Sequence, residues 1–237
     1  MSTSQFDEFQ THPSAATEVV SQRGLPAASV VASSIISFSS GVSGQQLRDV
    51  QNSVLFAERM ANGQFPEGED NENWYKVFSS TLNQLGWIMQ ELTFCQYESP
   101  HNSFKLSQVT LELLTTLLAG DEELLSVVRK TFDCFNNSPP GLTLFKENSL
   151  SAKSGHFQIL PCTVKNGQVV LAFIGAHFKA PKVSDNYFFC SYNSQELGLH
   201  TAKTIFTLNE EVYGKVRQEV IERLGEVAAK CIHELII

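Results

Sequence analysis

Leu160-Pro161-Cys162-Thr163-Val164-Lys165-Asn166-Gly167-Gln168-Val169-Val170-Leu171-Ala172-Phe173 is the stretch that decides the architecture. Asn-Gly supplies the two positive-φ residues of a type I′ turn. A two-residue loop at Asn166-Gly167 therefore predicts a β-hairpin that pairs Val164 with Val169, Cys162 with Leu171 and Leu160 with Phe173. Because side chains alternate along a strand, one face carries Leu160, Cys162, Val164, Val169, Leu171 and Phe173, while Pro161, Thr163, Val170 and Ala172 point the other way. Cys162 thus sits where a core or an acyl chain would lie.

Around the hairpin the hydrophobic period is two. Residues 142–147, 156–164, 169–178, 187–192 and 202–208 read as strands between Ser, Gly, Asn and Pro punctuation. Upstream the period is that of helices. Leu47, Val50, Val54 and Ala57 open a helix at about residue 45 that Gly63 and Pro66 stop. A polar loop follows at 67–73, and Asn73 is the expected cap of a second helix carrying Val77, Leu82, Leu85, Ile88, Met89 and Leu92, broken at Pro100. Residues 106–118 and 122–135 read as third and fourth helices divided by Gly120-Asp121, and 136–141 as a boundary. Residues 29–38 read as a first strand, and 209–235 as one long helix capped by Asn209. An apolar hairpin face needs cover and the helices carry single apolar stripes. The expected class is α+β, a three-layer sandwich of mainly antiparallel sheet covered by helices, spanning 28–237 as one domain behind a mobile leader at 1–27.

Composition excludes several function classes. A net charge of -8 over 237 residues, with no cluster of Lys and Arg, argues against nucleic acid as a partner. No apolar run reaches the roughly 18 to 20 residues of a membrane span, and no secretory signal opens the chain, so a soluble cytoplasmic product is expected, with later release or export to a membrane left open. Five cysteines with no Cys-x-x-Cys pair suggest reduced thiols. The histidines at 12, 101, 156, 177, 200 and 233 are read as scattered, so no metal site is expected, and no Gly-rich loop cradles a nucleotide phosphate.

Cys162 leaves three readings open. It is a core cysteine, a thiol that carries or contacts a fatty acyl chain, or a catalytic thiol. The last needs a base. His156 shares its face, but six residues along a strand span roughly 20 Å, and the hairpin pairing brings no histidine opposite it. His177 and His200 are the candidates that folding would have to bring near. The aromatic run Tyr187-Phe188-Phe189-Cys190-Ser191-Tyr192 needs cover on both faces, or gains it by binding something apolar. The helices after Gln45 suit a core layer and, if they detach, a bilayer surface.

The succession of Leu- and Val-rich helices, the strand 156–164, the Asn166-Gly167 turn, the strand 169–173 running into Gly175 and Lys179, and the aromatics 187–189 resembles the Cyt cytolytic delta-endotoxins and the Evf virulence-factor family over about residues 28–208. The Cyt resemblance implies an α/β/α sandwich whose outer helices leave the sheet to permeabilise membranes. The Evf resemblance implies a fatty acyl chain thioester-linked to a core cysteine, for which Cys162 is the matching position, lined by Leu160, Val164, Val169, Leu171 and Phe173. The expectation is a membrane-active or lipid-binding virulence or insecticidal protein without catalytic turnover. No cofactor is required, a covalently bound or buried fatty acid is left open, and its partner is a lipid membrane or acyl chain, with self-association on membranes left open. A cysteine-dependent acyltransferase or thioesterase and a non-enzymatic interaction or immunity protein are the alternatives.

Overall fold

A computed structural model describes residues 27–66, 70–151 and 153–237. The leader expected at 1–27 therefore lies outside the described residues except for Ala27, as does the start of the polar loop at 67–69.

The chain opens with a hairpin, β1 (Ala27–Val31) and β2 (Ser34–Phe38). Two helices follow, α1 (Gly44–Gln64) and α2 (Asn71–Gln84), and then three short strands, β3 (Trp87–Met89), β4 (Thr93–Tyr97) and β5 (Ser103–Lys105). Three helices come next, α3 (Leu106–Leu117), α4 (Glu122–Asn136) and α5 (Pro139–Ser149). The second half holds β6 (Leu150–Ser151), β7 (Ser154–Lys165), β8 (Gln168–Lys179), β9 (Ser191–Asn193) and β10 (Gly198–Leu208). It ends with α6 (Glu210–Leu224), α7 (Glu226–Cys231) and β11 (Ile232–Leu235).

The main sheet runs β11-β1-β2-β7-β8-β10-β3, with β4 added to β10 and β6 to β7, while β5 and β9 pair separately. Its described pairings are antiparallel except β2 with β7, which is parallel. The central hairpin has the register read from its turn: Val164 faces Val169 and Cys162 faces Leu171, with Asn166 at φ 52° and Gly167 at φ 78°. Alternation then divides the apolar residues between two cores. Leu160, Cys162, Val169, Leu171 and Phe173 join Ile36 and Phe38 under α1, α2 and α6. Phe157, Ile159, Ile174, Ala176 and Phe178 join Val30 and Ile35 under α3, α4 and α5. The result is an α+β three-layer sandwich, because a sheet apolar on both faces must be covered on both.

Five local readings are corrected. The first strand is two, since Ala32 takes φ 47° and turns the chain within 29–38. The second helix is capped by Asp70, whose Oδ1 accepts from Asn73 N at 3.2 Å, and it stops at Gln84. Gly86 at φ 97° turns it into β3, so Ile88 and Met89 are strand residues. Residues 142–147 are helical, because Ser138 caps and Pro139-Pro140 occupy the first turn, where a missing N–H costs nothing. Tyr187, Phe188 and Phe189 form a turn, not a strand. Phe188 meets Phe132, Phe145 and Phe157 edge to face, so this aromatic run is a plug in the second core. The expected C-terminal helix breaks at Gly225, at φ 49°, and residues 232–235 return as β11 beside β1.

Candidate functional site

Cys162 lies toward the turn end of β7, beside Phe38 of β2 and Leu171 of β8, and its carbonyl accepts from Ser39 N at 2.9 Å. It is 0% exposed. Leu160, Val169, Leu171 and Phe173 are buried with it, and Val164 is half-buried at the turn end of the same face. Val50, Val54 and Ala57 of α1 and Phe78 and Leu82 of α2 complete this core. Burial alone pushes the Cys162 thiol well above its ordinary range, so it stays protonated and apolar. A ligand reaching it must first part α1 and α2 from the sheet.

The histidines are not scattered. His156 of β7 pairs with His177 of β8, which pairs with His200 of β10, making a row across three strands. The first pair follows from the hairpin register itself: 156 and 177 are as far from the turn as each other, a consequence that the expectation of isolated histidines overlooked. The row stands about six residues from Cys162 along the strands, roughly 20 Å, so neither His177 nor His200 is brought to the thiol. His156 lies against Trp74 of α2, ring centroids 5.2 Å apart. Its Nε2 and that of His177 are buried without hydrogen-bond partners. Burial lowers both histidines to about 4, helped at His177 by Lys179, His156 and His200 nearby, so both are neutral at pH 7. His177 and His200 also line a cavity of about 460 Å³ beside the first turn of α2. Among the described residues no group of three or more His, Cys, Asp or Glu is arranged to hold a metal ion.

A second polar feature under the same helices had no motif to announce it. Glu58, on the inner face of α1, accepts from Ser33 N at 3.1 Å, from Ser33 Oγ at 2.9 Å and from Ser34 Oγ. Both hydroxyls also lie 3.0 Å from Gln158 Oε1 on β7. The only sequence signal is spacing: Glu58 falls four residues after Val54 and three before Ala61, on the buried stripe of α1.

The strands are joined by backbone hydrogen bonds, while α1 and α2 reach the sheet through side chains, among them Glu58, which accepts from Ser33 N in the β1–β2 turn. Arg217 of α6 fastens the outside of α1, donating from Nε and Nη2 to the two oxygens of buried Asp49 at 2.9 and 2.8 Å. No helix among the described residues is long and apolar enough to cross a membrane.

No family model matches the chain, and no curated protein matches it by sequence. Solved structures give loose likenesses. A delta-endotoxin aligns at 13% identity over 76% of this chain and 83% of its own, with a TM-score of 0.40. The activated Cyt2Ba monomer from Bacillus thuringiensis subsp. israelensis aligns at 14% identity over 73% and 94%, with a TM-score of 0.37. The Evf virulence factor aligns at 12% identity over 87% and 82%, with a TM-score of 0.30.

Proposed function

We propose that the protein is a membrane-active or lipid-binding virulence or insecticidal protein in which the α1–α2 layer parts from a persistent sheet, so that the apolar faces thus uncovered meet lipid acyl chains. The observation that supports this reading is the division of labour at the Cys162 face. The strands are held to one another by backbone hydrogen bonds, and the helices above them by side chains, apolar ones and the Glu58 cluster among them. Removing the helices therefore breaks no ladder. It exposes a continuous face, Leu160, Cys162, Val169, Leu171 and Phe173, and frees the complementary stripe of α1. In water that opening costs about 25 cal/mol for each Å² of apolar surface exposed, and a bilayer or acyl chain offsets it. Activity should accordingly require lipid.

Binding of a fatty acid along this face, with or without a thioester to Cys162, is the other form of the same reading. The two differ in a single measurement, the intact mass of protein as expressed. The membrane form is tested by release of a dye trapped in phospholipid vesicles. Release that grows with protein concentration is the expected result, and silence across neutral and anionic lipid mixtures would remove it.

A further inference from the structure

Glu58 is an acid in the middle of an apolar layer. It is 1% exposed, and none of the ion pairs among the described residues includes it. Its partners are the β1–β2 turn, through Ser33 and Ser34, and those serines in turn reach Gln158 on β7. Each serine hydroxyl is shared between Glu58 and the Gln158 amide, whose Nε2 is buried without a partner, so the carboxyl group sits in a closed polar cluster with no cation among the described residues to balance a charge on it.

We propose that Glu58 is a proton-operated latch: protonated, it holds α1 to the β1–β2 turn, and its ionisation frees the α1–α2 layer from the sheet. This rests on the reading that the layer parts from the sheet, and adds what controls the parting. Burial, outweighing the three donors, raises Glu58 from 4.5 to about 7. Once the layer opens, Glu58 is in water and returns to its ordinary value. The closed form therefore binds the proton more tightly than the open one. The latch is whole below pH 4.5, weakens as pH rises from 4.5 to 7, and is spent above it.

The groups facing Glu58 do not take over this titration. Tyr75 on α2 is pushed above its usual range by burial and by the Glu58 charge. Cys231 on α7 is raised chiefly by burial, with Arg59, Glu58 and Lys230 around it. Both stay neutral up to pH 8. His156 and His177, also under α2, act in the opposite direction, because burial keeps them neutral and acid charges them.

The test uses Cys162 as the reporter, since it is fully buried beneath α1. Alkylation of Cys162 by iodoacetamide, followed at the peptide level by mass spectrometry, is compared between the full chain and its Glu58→Gln variant from pH 5 to pH 8. The ratio of the two rates cancels the chemistry of the thiol and the histidine contribution. It should rise by about 70-fold across this range as the wild-type latch is lost, and a ratio constant within twofold overturns the proposal. If Glu58→Gln does not fold, carboxyl carbon NMR of the wild-type chain decides: a Glu58 midpoint near 7 supports the latch, and one near 4.5 overturns it. Dye release separates the two readings. A rising ratio without leakage keeps the latch and refutes membrane action, and leakage with a flat ratio does the reverse.

Discussion

Gly175 sets how closely α2 sits on the sheet, and replacing it with alanine should push the two apart. A Cβ at this position would lie 2.5 Å from Tyr75 Cε1, 2.7 Å from Tyr75 Cζ and 2.9 Å from Phe173 Cζ. Carbon atoms in good contact are about 3.5–4.0 Å apart, so the Tyr75 ring must retreat by about 1 Å. It has nowhere easy to go: Trp74 lies edge-on at 5.0 Å, Phe173 at 5.8 Å and Phe94 at 6.2 Å, and Tyr75 is 3% exposed. Overpacking of this kind costs about 3 kcal/mol, and the gain of alanine over glycine in a strand returns about 0.5–1, for a net loss of about 2 kcal/mol. Urea unfolding should register this as a midpoint lowered by about 1 M for a slope near 2 kcal/mol per molar. Tyr75→Leu in the Gly175→Ala background should recover part of the loss, since the two residues couple directly. Dye release by Gly175→Ala should also begin at lower protein concentration, because a looser α2 opens more often. A Gly175→Ala protein as stable as wild type, with an unmoved Tyr75, would show that this close approach does not hold the layer.

Acid should weaken the fold through the histidine row. His156 and His177 titrate near 4 when folded and near 6.5 when unfolded, so their contribution is complete above pH 6.5 and lost as pH falls toward 4. Urea titrations at pH 7 and 4.5 should differ, with His177→Asn reducing the difference; an identical loss in the variant would sink this assignment. Arg217→Ala leaves the Asp49 carboxylate buried with, among the described residues, Gln45 Nε2 at 2.8 Å still donating to it from a side chain. A loss of about 2–3 kcal/mol is expected in denaturant unfolding, and a change under about 0.5 would contradict the clasp between α6 and α1. Gly167→Ala, at φ 78°, should cost about 1 kcal/mol by straining the turn, and a neutral substitution would mean that this turn does not need its glycine.

Legibility followed the strength of local patterns. Asn166-Gly167 dictated the register of the central hairpin, and through alternation the membership of both cores. Helices α1, α3 and α4 were readable because their stripes persist for three or more turns between caps. Residues 142–147 misled because Leu142 and Leu144 alternate over a segment too short for either period to win, while the Pro139-Pro140 start went unused. The end of α2 hinged on one backbone angle at Gly86, and the end of α6 on one at Gly225, both invisible to an apolar stripe that continues past them. Cys162 shares one core with Leu160, Val169, Leu171 and Phe173, as alternation implied, and His156 opposite His177 was implicit in the turn. His200 required the β8–β10 pairing, and the Gln158 member of the Glu58 cluster required the parallel β2–β7 contact, which joins segments more than 120 residues apart. No local signal carries that information.

The most direct measurement is release of a trapped dye from phosphatidylcholine vesicles, with and without anionic lipid, by the full chain and by the chain lacking residues 1–26. Leakage that rises with protein concentration, accompanied by faster alkylation of Cys162 when lipid is present, is the expected outcome. No leakage from any mixture, with Cys162 equally protected in lipid and in water, would contradict opening of the α1–α2 layer onto a membrane.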